Sequence, residues 1–150
     1  GLMRGGSPRI AVFPKGGKVM QGLSKVEEYL IDLGISYQEI SKDAWLVEDE
    51  SRGLPKMVVS CVDPIVVVRA SVMTAPAGKR EELFATLLRL NGTDFLHGAY
   101  ALDGDEVVAL DTLEYASMDK NDFRASLEAM AFALGQHYPI LSQFAAKKEE

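Results

Sequence analysis

Apolar residues recur at helical spacing along residues 79–91, and they are too numerous for one narrow stripe. The spacing predicts a helix with two adjacent apolar rows. The rows are Leu83, Leu87 and Leu90 on one side and Phe84 and Leu88 beside them. A wide apolar arc needs two surfaces to cover it, so we expect this helix to lie against its own sheet and against a partner. Gly92 is the expected residue just after its C-terminus.

The following segment alternates around an Asp-Gly pair, which is the most specific local signal in the chain. Asp103-Gly104 lies between the apolar runs at residues 98–102 and 106–110. An Asp-Gly pair readily adopts the positive φ that a type I′ turn needs. The pattern therefore predicts a β-hairpin over residues 99–111.

Two further helices have recognisable ends. Ser24 followed by Glu27 forms a capping-box pattern, and Gly34 supplies the stop for this first helix. Asp119 is the expected N-cap of a long amphipathic helix, and Pro139 ends or kinks that helix.

Three strands are predicted between the first two helices, at residues 44–50, 56–62 and 65–73. The third is β-branched almost throughout, which is typical of a central strand that is apolar on both faces. Residues 35–40 are interpreted as a linker with some extended character. The order of elements is α-β-β-β-α-β-β-α, which predicts an α+β fold with helices packed on an antiparallel sheet.

The length of 150 residues predicts one domain. We expect a flexible arm at residues 1–21, a domain at 22–138 and a tail at 139–150. The apolar run at residues 10–13 leaves open the alternative that the arm adds one strand. The arm is not a phosphate-binding loop, because the glycine and Ser/Thr positions of that motif do not match.

Charge and composition narrow the function classes. A net charge of −6 disfavours nucleic acid and anionic lipid as partners. No apolar run approaches the roughly 20 residues of a membrane span, and the first residues do not resemble a signal peptide. Cys61 is the one cysteine and excludes an intrachain disulfide. We therefore expect a cytoplasmic protein without membrane insertion.

No pattern of catalytic or metal-ligating residues is present. The two histidines, His97 and His137, lack the ligand spacing of a metal site. The acidic residues after Leu102 are flanked by strands, so a hairpin turn is favoured over a calcium loop. We expect no cofactor, no metal and no enzymatic activity.

Four parts of the sequence together resemble a known family pattern. They are the helix end at residues 87–91, the runs at 98–103 and 107–110, and the acidic helix entry Met118-Asp119. It is the type III secretion chaperone-like fold, which includes the Tir chaperones and the YbjN-like sensory transduction regulator domains. The resemblance covers residues 22–138.

The resemblance implies a small, non-enzymatic homodimer. It implies that the second helix and the following hairpin form the two-fold interface, with the candidate residues Leu83, Phe84, Leu87, Leu88, Leu90 and Tyr100. Secretion chaperones of this kind bind an extended effector segment on apolar grooves and exposed sheet edges.

Two hypotheses follow from these observations. The first is a dimeric protein-interaction module that binds a protein or extended peptide. The alternative is a small-ligand-binding or enzymatic α+β domain that uses the loop around His97, Asp103 and Glu106.

Overall fold

The computed structural model describes residues 24–145 as three helices and one six-stranded antiparallel sheet. The elements in chain order are α1 (Lys25–Leu33), β1 (Tyr37–Ser41), β2 (Ala44–Asp49), β3 (Leu54–Val62), β4 (Ile65–Thr74), α2 (Arg80–Thr93), β5 (Ala99–Asp103), β6 (Glu106–Glu114) and α3 (Lys120–Leu141). The order of strands across the sheet is β1-β2-β3-β4-β6-β5. The predicted α+β class and the helices packed on an antiparallel sheet are confirmed. The predicted arm lies outside the described residues.

One strand was not predicted. The segment interpreted as a linker, residues 35–40, contains most of β1, which pairs with β2 at the edge of the sheet. Most β1 side chains are polar and four of its five residues are exposed, so no alternation of apolar and polar residues marks it as a strand. Its structure depends on backbone hydrogen bonds to β2, which the residue pattern does not show.

The predicted N-termini of the first and third helices are confirmed. The Ser24 hydroxyl accepts a hydrogen bond from the Glu27 N–H at 3.2 Å, and Gly34 follows the end of α1. The Glu27 carboxylate accepts from the Tyr37 hydroxyl at 2.8 Å, which connects α1 to β1. At α3, Asp119 and Asp122 cap each other's backbone N–H groups reciprocally.

The predicted end of α2 is wrong. Gly92 lies inside α2, which ends at Thr93, and the N–H of the C-cap residue Asp94 donates to the Leu90 carbonyl. Of the two outcomes predicted for Pro139, the end of the helix is wrong, because α3 continues through Pro139 to Leu141. Leu141 is buried in the core, so its packing offsets the backbone hydrogen bond that the proline cannot donate.

The two faces of the sheet are packed differently. β4 is central, as predicted, and its Val66, Val68 and Ala70 are buried in the core beneath the helices. Its Ile65 and Val67 are only half-buried. By strand register the opposite face, which we call the outer face, carries the half-buried residues Leu46, Val58, Val62, Ile65, Val67 and Leu110. None of these residues belongs to the packed core of residues 24–145.

The predicted hairpin is confirmed, but its turn is not type I′. Asp103 pairs with Glu106, so the two loop residues are Gly104 and Asp105. Gly104 has φ +63°, and Asp105 is not among the residues with positive φ. One positive φ at the first central position is the requirement of a type II′ turn, whereas type I′ needs two.

Gly98, at the entry to β5, is in a position that permits no side chain. Its φ is +102°, and a Cβ atom there would lie 2.5 Å from the backbone oxygen of Leu110. The close approach sets the start of the β5–β6 pairing.

We expect Gly98→Ala to lower the free energy of unfolding by about 2 kcal/mol, because positive φ and a backbone clash combine there. Gly92→Ala is the matched control. Gly92 is helical with no atom near its missing Cβ, so alanine should stabilise α2 by about 0.5–1 kcal/mol. Urea unfolding of both variants measures the difference. Equal stability of the two would contradict the close approach.

Candidate functional site

The sheet has two edge strands, β1 and β5, and each has a row of backbone groups that faces away from its neighbouring strand. Such a row can accept an added strand from another segment. The two edges differ in what surrounds them.

The β5 edge is covered at Tyr100, one of its two outward-facing residues, by a side chain from α2. Asn91 Oδ1 accepts from the Tyr100 N–H at 2.7 Å, and Asn91 Nδ2 donates to the Tyr100 carbonyl at 3.2 Å. The amide of Asn91 thus replaces an adjacent strand at Tyr100, the second residue of β5. An incoming strand would have to displace both hydrogen bonds.

The side chain of Tyr100 holds the same edge from inside. Its hydroxyl lies 2.7 Å from Nδ1 of the buried His137, whose Nε2 lies 3.4 Å from Asp94 Oδ2. These groups are satisfied together when the hydroxyl donates to Nδ1 and Nε2–H donates to the carboxylate. Phe95 packs edge-on against the Tyr100 ring at 5.0 Å between centroids. The network ties β5 to both α2 and α3.

The electrostatics of this network keep the Tyr100 phenol protonated and the Asp94 carboxyl ionised. Burial, together with the nearby Asp94 carboxylate, raises the pKa of Tyr100 to about 12, so the phenol stays protonated. Hydrogen bonds from the Thr93 hydroxyl and from His137 lower the pKa of Asp94. Asp94 therefore stays ionised at neutral pH and accepts from both neighbours.

The β1 edge is open within the described residues. The Glu48 N–H donates to the Ser36 carbonyl at 3.4 Å, and the register continues to Tyr37↔Val47 and Glu39↔Trp45. Because bonded and non-bonded pairs alternate between antiparallel strands, the backbone groups of Tyr37 and Glu39 point away from β2. No hydrogen bond to these groups is made from residues 24–145.

The surroundings of β1 combine acidic charge with exposed apolar carbon. Residues 25–49 carry seven acidic and two basic side chains. Ile31 on α1 and Ile40 on β1 are both about half exposed. A segment that adds to β1 would thus meet negative charge and two isoleucines.

The structure places most of the predicted dimer residues inside one chain. Four of them, Leu83, Leu87, Leu90 and Tyr100, are buried in the core. Phe84 is half-buried against that core, and Leu88 is 70% exposed. The wide apolar arc therefore has one covered row and one partly exposed row, and the interface itself stays a prediction.

The residues of the alternative site are not brought together. His97 lies in an open groove with Met118 and Asp122, at one end of β5. At the other end, roughly 16 Å away by strand rise, Asp103 forms an ion pair with Arg69 at 2.6 Å and Glu106 accepts from the Thr74 hydroxyl. The three side chains do not converge on one point.

Neither a metal site nor a reactive cysteine is found among residues 24–145. No group of three His, Cys, Asp or Glu side chains in the described part of the chain could hold a metal ion. Burial raises the pKa of Cys61 to about 12, so it is a protonated thiol and a poor nucleophile.

No helix among residues 24–145 is long and apolar enough to cross a membrane.

The architecture is that of a type III secretion chaperone-like, or YbjN-like, protein. The family model CesT_Tir_1 matches residues 20–147. The chain belongs to this family, as its helix ends and hairpin indicated.

Several solved structures share the fold. YbjN from E. coli matches with 19% identity and a TM-score of 0.63 over 86% of this chain and 98% of YbjN. The heterodimeric ExoU–SpcU complex from the type III secretion system of Pseudomonas aeruginosa matches with 12% identity and a TM-score of 0.65. That match covers 79% of this chain and 98% of the other.

A third match is the Yersinia pestis type III secretion chaperone SycH, solved in complex with a stable fragment of YscM2. It is 15% identical, with a TM-score of 0.53 over 73% of this chain and 93% of the other. At these identities the likeness shows the fold alone. No curated protein sequence matches the chain.

Sequence reasoning missed the most informative residues of the site. Tyr37 and Glu39 lie in the strand that was interpreted as a linker, and their outward backbone groups leave no trace in side-chain pattern. Asn91 belongs to the predicted helix end at residues 87–91. Its contact with Tyr100, nine residues later, depends on how α2 lies against β5.

We expect Asn91→Ala to lower the free energy of unfolding by about 1–2 kcal/mol, because it removes two side-chain hydrogen bonds from β5. Amide exchange at Tyr100 should become faster in the same variant. Arg89→Ala, at an exposed position on α2, is the control and should change neither quantity appreciably. Unchanged exchange at Tyr100 in the Asn91 variant would contradict the covering role of this side chain.

Proposed function

We propose that this protein is a non-enzymatic interaction module that binds an extended segment of a partner protein by adding it as a strand to β1. The observation that carries the proposal is the difference between the edges. Tyr37 and Glu39 present outward backbone groups with no partner within residues 24–145, whereas on β5 Asn91 covers the outward groups of Tyr100.

Strand addition suits such an edge physically. Main-chain hydrogen bonds supply affinity independent of sequence, and alternate side chains of the added strand supply specificity. Ile31 and Ile40 offer contacts for apolar side chains, and the acidic surroundings favour a segment with basic or neutral flanks.

The relatives support a protein partner. SpcU was solved in a heterodimeric complex with ExoU, and SycH with a fragment of YscM2. Both have the fold of this chain, and both are bound to another protein. The residues of the alternative small-ligand site are separated, so the interaction role accounts better for the structure.

We further propose that the protein forms a homodimer through the outer side of α2. Leu88 is the most exposed residue of the predicted interface, and Phe84 is half-buried one turn before it. The buried Leu83 and Leu87 support this surface from beneath.

Glu39→Pro should prevent strand addition with little loss of stability. The substitution removes an amide that points away from β2, and proline is tolerated at such edge positions. The test uses the photo-cross-linking residue benzoylphenylalanine at the exposed Gln38, in the full chain in its producing cells. We expect a cross-linked partner whose segment, made as a synthetic peptide, binds Glu39→Pro at least ten-fold more weakly.

Two controls accompany this test. Glu39→Gln keeps the backbone amide and should retain binding, and benzoylphenylalanine at Leu102, on the β5 edge, should give little cross-linking. Equal cross-linking from both edges, or unchanged binding by Glu39→Pro, would exclude β1 as the binding edge.

Leu88→Asp should convert the dimer to a monomer, because it places a charge in the proposed interface. Light scattering should give about twice 16.4 kDa for the wild type and about 16.4 kDa for the variant, with a similar thermal midpoint in dilute solution. Leu87→Asp is the contrast. It buries a charge in the core and should unfold the chain. A monomeric wild type, or a dimeric Leu88→Asp variant, would refute the interface.

A further inference from the structure

We infer that the partner segment carries a basic residue opposite Glu39 and, two positions later in its own sequence, an apolar residue opposite Tyr37. The inference rests on the proposed function, because it names the chemistry of the strand that is added to the same edge. It is carried by the side chains that flank β1 on the helix side of the sheet.

The side chains of Tyr37 and Glu39 lie on the helix side of the sheet. Tyr37 pairs with Val47 on β2. Glu39 pairs with Trp45, and both of these β2 residues are buried in the core. Residues directly opposite each other in antiparallel strands share a face. The two residues of an added strand that lie opposite Tyr37 and Glu39 would therefore also point to the helix side, while the residue between them would lie beside Gln38 on the outer face.

One flank of α1 lies beside this edge. Glu27 accepts the hydrogen bond from the Tyr37 hydroxyl at 2.8 Å, and Ile31 lies one turn further along the same flank. The opposite flank faces α3, to which Asp32 forms an ion pair at 3.4 Å. Because the connection at residues 34–36 is short, β1 runs back along α1. Ile31 therefore lies toward the start of β1, and Glu27 lies toward its end.

Two carboxylates act at the Glu39 end of the edge. The hydrogen bond to Glu27, burial and the charges of Glu27 and Glu39 together raise the pKa of Tyr37. Both carboxylates are thus close enough to act on the same hydroxyl. Glu39 itself forms no ion pair within residues 24–145.

Neither basic residue of this region neutralises these carboxylates through an ion pair. The Lys25 ammonium donates to three carbonyl oxygens of residues 115–118 at 2.7 to 3.2 Å, on the α3 side of α1. Lys42 lies in the turn after β1 and forms no ion pair within residues 24–145. A lysine or arginine of the added strand, opposite Glu39, would supply the positive charge, since opposite charges on facing residues stabilise antiparallel pairing.

The Tyr37 end of the edge is apolar. Ile31 is 51% exposed, and Tyr37 packs only partly against the core. An apolar side chain opposite Tyr37 would cover carbon atoms of both residues.

The direction of the added strand sets the order of the two residues. Every strand pair of this sheet is antiparallel, and antiparallel pairing is slightly more stable per residue than parallel pairing. An antiparallel partner meets Glu39 before Tyr37, so its basic residue precedes its apolar residue.

Three synthetic nine-residue peptides test the inference by NMR titration of the full chain, with the amide signals of Tyr37 and Glu39 as the readout. Each is a threonine host with blocked ends. The matched peptide has lysine at its fourth position and isoleucine at its sixth. The reversed peptide exchanges these two residues, and the acidic peptide has glutamate in place of the lysine. We expect the matched peptide to bind at least three-fold more tightly than the reversed peptide and at least five-fold more tightly than the acidic one.

The matched and reversed peptides have the same composition and charge, so their difference in Kd depends on side-chain position alone. Glu39→Lys should invert the preference between the matched and acidic peptides, because like charges then face each other in the matched complex. Glu81→Lys makes the same change in net charge at an exposed position of α2, beside the opposite edge of the sheet, and should keep the wild-type order.

Three results would overturn the inference. The first is a matched peptide that binds no more tightly than the reversed one. The second is an unchanged preference in Glu39→Lys. The third is the absence of any shift of the two amides with the matched peptide.

Glu39→Pro separates the inference from the proposed function. If all three peptides bind the wild type equally and Glu39→Pro abolishes their binding, strand addition holds and the inferred pattern fails. If the peptides bind in the expected order and Glu39→Pro binds them as tightly as the wild type, the side-chain preference holds and strand addition fails.

Discussion

An open sheet leaves a row of backbone donors and acceptors at each of its two edges, and these groups need hydrogen-bond partners or water. In this protein the β5 row is covered at Tyr100 by the amide of Asn91, and the Tyr100 side chain is fixed by His137. The β1 row has no such cover within residues 24–145. The difference in hydrogen-bond cover between the two edges favours β1 as the edge to which a partner strand adds.

The one-sided core supports this arrangement. All three helices contribute to the core on one face of the sheet, and the Tyr37–Glu27 hydrogen bond fixes β1 to α1. The edge strand is therefore held by β2 and by the side chain of Tyr37, while its other four residues stay exposed. An edge that is positioned but not covered can accept another strand without rearrangement of the core.

Local chemistry in the sequence determined much of the fold. The caps at Ser24 and Asp119, the leucine rows of α2 and the hairpin around Gly104 depend on contacts between residues close in the chain, so their patterns were sufficient. The predicted turn type and helix ends were less accurate. Strand register determines the turn, and the burial of Leu141 favours continuation of α3 past Pro139.

Only the tertiary structure decided the site. A mostly polar strand such as β1 has no side-chain signature, because its stability comes from backbone pairing with β2. Which leucines of α2 are buried, and which backbone groups Asn91 covers, depend on the placement of α2 against β5. Sequence by itself determined the three helices, the strands β2 to β6 and the family, and long-range packing determined the edge strand β1 and which edge of the sheet stays open.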